Sequence, residues 1–187
     1  EACIAHLMFS FEDYETLGAK IKCNPSIKHI NDRNALRAAL TDGTIDIVGT
    51  DHAPHLLKEK EGGALTATSG MPTHPYSLVS MLDLADQGVL KLTDIVRLMA
   101  HNPAELFSIH NRGYIRKGYK ADLVLISKCD SNYPNIAHSQ FNFCGWNPLE
   151  GKTFGWKVDT TFVNGNIAYN NGEFANRLYG EKVLFNR

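Results

Sequence analysis

The chain has 187 residues, 43% apolar and 21% charged, with 19 Lys and Arg against 20 Asp and Glu for a net charge of −1. That balance suits a globular domain with a core, or a piece of a larger one. It argues against a nucleic-acid footprint, since no Lys/Arg run exceeds two residues, and no apolar run reaches the roughly 18 residues of a membrane-spanning helix.

Cysteines stand at 3, 23, 129 and 144 with no Cys-x-x-Cys pair. A zinc ribbon or disulfide framework is therefore not expected, and buried free thiols in a reducing cytoplasm are. Glu1 to His6 has neither the basic region nor the apolar stretch of a signal peptide. The first residue is not Met, and the expectation is an internal start within a longer chain.

Along the chain, the apolar run 2–9 reads as a buried strand. Ser10, with Asp13 three residues on, predicts a box-like start for a helix over Phe11–Lys20. Pro25 holds Asn24 in a loop. A second helix is predicted from Asn31 or Asp32 to Leu40, with Ala35, Leu36, Ala39 and Leu40 on one face. The β-branched Ile45, Ile47 and Val48 predict a strand over Thr44–Thr50. The polar, Gly-rich stretch from Leu57 to Ser69 is long for a structureless connection, which points to function or disorder. Leu78, Met81, Leu82 and Ala85 predict a helix over about 75–87. Thr93 is read as the cap of the next helix, and Asn102-Pro103 as the N-cap and first position of another.

After about residue 110 the pattern changes. A turn-rich stretch, Gly113 to Gly118, precedes a strand at Ala121–Ile126, and Asn164-Gly165 between two strand-like runs is a strong hairpin signal. The fold class is therefore α/β, with alternating strand and helix over 1–110 and a β-rich region over 111–187.

The chemistry concentrates in Gly49-Thr50-Asp51-His52-Ala53-Pro54-His55, a carboxylate and two imidazoles where a strand ends. Strand C-termini form the catalytic face of a β/α barrel. Such a carboxylate can ligate a divalent metal or exchange a proton with metal-bound water. It can equally belong to a capped turn, and these residues alone leave both readings open.

Nearly the whole chain resembles the C-terminal part of the bacterial type I dihydroorotases, in the amidohydrolase superfamily. The resemblance rests on Ile45 to His55, Glu59-Lys60, Ser69-Gly70-Met71-Pro72 and Lys22-Cys23-Asn24-Pro25. Further matches follow in order: Asn102-Pro103-Ala104, Gly118-x-x-Ala121-Asp122-Leu123-Val124 and Trp146-x-Pro148-x-Glu150-Gly151. It implies strands 7 and 8 of a metal-dependent-hydrolase TIM-like (β/α)8 barrel over 1–110, then a small sandwich-type β domain over 111–187. Asp51 matches a metal ligand that is also the catalytic acid/base. Asn24 and His55 match substrate-binding positions, and Ser69 and Gly70 match positions whose backbone groups contact substrate. His52 is given at best a packing role or a supporting one behind the ligands, and His6 a structural one. His29, His74, His101, His110 and His138 match nothing catalytic.

The implied reaction is reversible opening of dihydroorotate to carbamoyl aspartate, Asp51 carrying a proton from metal-activated water to the leaving nitrogen. One or two zinc ions are implied, with most ligands outside this sequence. No counterpart is found for the family's His-x-His, bridging Lys or Asp, further His ligands, or carboxylate-binding arginine. The remainder of the barrel is thus an expected partner, a cytoplasmic homodimer the default assembly, and the 187 residues alone are expected to be inactive and metal-free. Hydantoinase, dihydropyrimidinase and allantoinase relatives remain alternatives, though His55 after Ala53-Pro54 favours dihydroorotase. A non-catalytic dihydroorotase-like partner or scaffold is a further alternative.

Overall fold

The computed structural model describes residues 1–130, 135–137 and 143–186; His138 lies outside the described residues. The N-terminal half begins with strand β1 (Ala2–Cys3), which pairs in parallel with β2 (Val48–Gly49), Ala2 opposite Val48 and Cys3 opposite Gly49. Both strands therefore deliver the chain to the same edge.

Only the first two residues of the predicted 2–9 strand pair as strand. Helix α1 (Ile4–Met8) takes over at once, burying Ile4, Ala5 and Leu7. A short apolar run does not distinguish strand from helix by periodicity, and packing decides here. Likewise β2 keeps only two residues of the predicted Thr44–Thr50 strand.

The Ser10 box forms as expected. The Asp13 carboxylate accepts from the Ser10 N–H at 2.7 Å, while Asp13 N–H donates to Ser10 O at 3.0 Å. The helix it opens is broken into a 3-10 turn (Phe11–Asp13), α2 (Tyr14–Leu17) and another 3-10 turn (Gly18–Ile21). Helix α3 (Ile30–Ala39) follows. Ala35 of its predicted apolar face is exposed, whereas Leu40, just past its end, is buried.

The 57–69 stretch is built rather than structureless: a 3-10 turn (Leu57–Lys60) and α4 (Gly63–Thr66) occupy it. Helix α5 (Ser77–Asp86) confirms the predicted element and buries Val79, Met81, Leu82 and Leu84. Next comes one continuous helical run, α6 (Leu92–Val96), a π segment (Arg97–His101) and α7 (Asn102–Leu106). Two cap readings change here. The start lies at Lys91, whose N–H donates to the Asp94 carboxylate at 2.9 Å, not at Thr93. Asn102 is inside the run, and its side-chain amide donates to Asp46 O at 2.6 Å, tying the helix to the segment entering β2.

The C-terminal part holds β3 (Leu123–Lys128), β4 (Asn135–Ile136), β5 (Thr153–Phe154), β6 (Trp156–Val163), β7 (Asn166–Asn170) and β8 (Glu173–Phe174). An antiparallel sheet runs in the order β3-β6-β7-β8, and β4 pairs with β5. The Asn164-Gly165 hairpin is present, with Val163 opposite Asn166 and φ of 50° and 82° at the two turn residues. Two left-handed residues match the twist of the flanking strands. Strand β3 lies at the edge of this sheet and exposes Val124, Leu125 and Ile126.

Two cores form. One joins Ile4, Leu7, Leu40, Val48, Met81, Leu84, Ile95 and Leu98. The other joins Phe9, Ile21, Cys23, Ile27, Met71 and Tyr76 to Trp146, Leu149 and Phe154 of the C-terminal part. Among the free cysteines only Cys23 is buried; Cys3, Cys129 and Cys144 are partly exposed, which corrects the expectation of buried thiols throughout. No helix among the described residues is long and apolar enough to cross a membrane.

Candidate active site

Asp51 stands two residues beyond β2, exposed, with a left-handed φ of 47°. Such a backbone is costly for a residue with a Cβ and persists only where the surroundings enforce it. Enforcement comes from residues 71–74. The Thr73 hydroxyl donates to Thr50 O at 2.7 Å, and Ala53 N–H donates to Met71 O at 3.1 Å. His52 turns its Nδ1 towards two backbone donors, accepting from Thr73 N–H at 3.1 Å and His74 N–H at 3.2 Å. Burial and the neighbouring His74 lower its pKa, favouring the neutral ring that can accept. His52 is thus a structural latch on the Asp51 turn.

The Asp51 carboxylate acts electrostatically on two thiols, Cys3, which ends β1, and Cys23. Burial first and the Asp51 carboxylate second push Cys23 up to about 11. Cys3 is raised by the same two causes in the same order. Cys23 contacts His6 Nε2 at 3.7 Å, and that nitrogen lies 2.7 Å from Pro25 O, so His6 braces the Asn24-Pro25 loop. Asn24 itself is exposed beside Cys23.

His55 and Gly70 are neighbours. A Cβ on Gly70, whose φ is +115°, would stand 2.4 Å from Ala53 Cβ and 3.5 Å from His55 Cδ2. Only glycine fits this approach. Gly70 N–H donates to Lys22 O at 2.8 Å, and Gly70 O accepts from Lys60 at 2.6 Å. The Gly70 backbone groups expected to meet substrate are therefore engaged within the fold. Ser69, half-buried beside it, forms no backbone–backbone hydrogen bond among the described residues.

Two residues without a predicted role hold this arrangement. Trp146 Nε1–H donates to His55 O at 2.8 Å across 91 positions of sequence. Lys60 is buried and donates to Lys22 O, Thr68 O and Gly70 O. Both lie in segments that carry the resemblance, but nothing local announces their partners. Among the described residues the other histidines stand apart from Asp51's turn or serve it through backbone: His101 stacks on Tyr114 at 4.0 Å, His110 Nδ1 meets Asn186 Oδ1 at 2.7 Å, and His29 lies 4.0 Å from Glu12.

A catalytic divalent metal needs about three protein ligands. Among the described residues no group of three or more His, Cys, Asp or Glu side chains could hold one. Asp51 offers one carboxylate, so these residues by themselves do not fit a complete metal site.

A family model described as "Amidohydrolase family" matches residues 3–168. The dihydroorotase of Halobacterium salinarum is 37% identical over 153 residues, covering 81% of this chain and 36% of that protein. The allantoinase of Bacillus velezensis is 28% identical over 173 residues, covering 92% and 38%. Among solved structures, the L-hydantoinase (dihydropyrimidinase) of Arthrobacter aurescens superposes with a TM-score of 0.86 at 25% identity, covering 92% of this chain and 39% of that one. The chain thus spans less than two fifths of the length of each of these relatives. The parallel pair that brings Asp51 to one edge is part of a fold shared over nearly all of the chain. The chain belongs to the amidohydrolase family, with the fold of the C-terminal portion of a TIM-barrel-type metal-dependent hydrolase.

Proposed function

We propose that these residues form the C-terminal, substrate-facing part of a cyclic-amide hydrolase of dihydroorotase type, interconverting dihydroorotate plus water and N-carbamoyl-L-aspartate. In this reading residues 1–110 supply strands 7 and 8 of the barrel and residues 111–187 a β-rich domain. The rest of the barrel brings zinc with its other ligands, in a cytoplasmic and dimeric enzyme. The observation that carries the reading is Asp51, held in a left-handed turn just beyond a parallel strand, its carboxylate acting on Cys23 next to Asn24.

Asp51 takes a proton from the attacking water and delivers it to the ring nitrogen as the C–N bond breaks. Asn24 offers an amide that can both donate and accept, and His55 an imidazole on a backbone that Trp146 holds through the His55 carbonyl. With the Ser69 backbone groups they would hold the ring in a reactive pose.

The test is made in the full-length protein that carries these residues. Ring opening of dihydroorotate should exceed that of hydantoin and allantoin, and Asp51→Asn should lower kcat by about 10²–10⁴-fold. An Asp51→Asn protein as fast as the parent would remove the assignment. Preference for allantoin or hydantoin would move the substrate to those relatives' class.

A further inference from the structure

Lys60 sits at the end of its 3-10 turn with only 4% of its surface exposed. Its ammonium donates to Thr68 O at 2.7 Å, Gly70 O at 2.6 Å and Lys22 O at 3.1 Å. An ammonium has three donors and no acceptor, so its bonding capacity is full. The groups facing it are the Lys22 ammonium, the Cys23 thiol and the Trp146 ring, whose centre lies 6.0 Å away. None is a carboxylate. A buried charge is ordinarily matched by an opposite one, and here neutral carbonyls take that place.

Those carbonyls belong to two separate segments. Lys22 O precedes Cys23 and Asn24; Thr68 O and Gly70 O bracket Ser69. Other bonds run across the same gap: Gly70 N–H to Lys22 O at 2.8 Å, and the Lys22 ammonium to Ala67 O. Thr68 in turn donates through N–H and hydroxyl to Glu59 O, at 2.9 and 3.1 Å, fixing Lys60's own turn to the second segment. The ammonium is thus the meeting point of the Asn24 loop and the Ser69 segment.

Resting on the function proposed above, we propose that Lys60 is a positioning residue whose ammonium sets the gap between Asn24 and the Ser69 backbone groups. Without it Thr68 O and Gly70 O lose their buried donor, the two segments separate, and substrate is held less well although the proton-carrying carboxylate is untouched. Burial draws the ammonium down to about 8, so the clamp is charged at neutral pH, and opening it to water restores the ordinary affinity for the proton.

The experiment uses the full-length protein with Lys60→Met, which keeps the chain length and removes the donors. KM for dihydroorotate should rise about tenfold or more while kcat stays within about threefold, the signature of lost ground-state positioning. Amide exchange at Gly70 should quicken about tenfold or more relative to Ala2, which is bonded elsewhere, to Ile47 O. If the variant does not fold, the parent protein answers instead: between about 8 and 10.5 the opened clamp binds more protons than the closed one, so Gly70 protection relative to Ala2 should rise through that range.

Unchanged Gly70 exchange in the variant, or flat protection through that range, overturns the clamp. Faster exchange with an unmoved KM overturns the positioning role, leaving Lys60 merely structural. An inactive parent whose Gly70 exchange still depends on Lys60 sinks the functional reading alone and upholds the clamp.

Discussion

The turn around Asp51 and the C-terminal sheet solve the same problem, satisfying backbone polar groups, by different means. In the sheet, ladder bonds between β3, β6 and β7 do the work, and each residue is held by a neighbour of its own kind. Around Asp51 the strands last two residues, and backbone groups are instead taken up by side chains: Thr73 and His74 N–H by the His52 ring, three carbonyls by Lys60, and Thr50 O by the Thr73 hydroxyl. A ladder tolerates exchange of side chains. A turn stitched by side chains does not, because each stitch is one residue deep.

After loss of Asp51, the sharpest way to expose this difference is Gly70→Ala. It adds a Cβ 2.4 Å from Ala53 Cβ at a φ of +115°, and strain plus overpacking should destabilise by about 2–4 kcal/mol. Urea melting would show it, together with reduced dihydroorotate opening. Gly165→Ala is the matching change in the sheet. Its φ is 82°, but no atom lies closer than Ala121 Cβ at 4.0 Å. The left-handed penalty alone, about 1 kcal/mol, should appear in the melt with activity unaltered. Equal losses from both would contradict the contrast.

The smallest effect is one of pH. Lys60 titrates near 8 in the fold against an ordinary 10.5, so between those values the unfolded chain binds more protons and stability rises with pH. Cys23 is displaced the other way, from 9.0 to about 11, so between those values the folded chain holds more protons and stability falls. Thermal midpoints followed through this range should climb from about 8 to 9, level off to about 10.5, then decline. Lys60→Met should remove the climb and Cys23→Ala the decline.

What the sequence made legible follows the same division. The Asn164-Gly165 hairpin and the Ser10–Asp13 box could be read because each is settled within four residues. Asp51, His55 and Gly70 were legible through short motifs, and the structure brings His55 and Gly70 together. The strand expected over 2–9 failed because an apolar run of that length fits either element. Asn102 looked like a cap, but its amide bonds Asp46 O, 56 positions away. Lys60 and Trp146 escaped for the same reason: Lys22 O lies 38 positions from its donor and His55 O 91 positions from the indole. Local chemistry states which groups need partners, and only the fold says who supplies them.

The indole of Trp146 carries a last consequence. Since it reaches back from the β-rich region to the carbonyl of His55, that region acts as a splint for the loop it never covalently adjoins. Trimming the chain to its barrel-like part would leave Asp51 in sequence yet let His55 drift. Transplanting this loop into another barrel would succeed only if the distant tryptophan travelled with it.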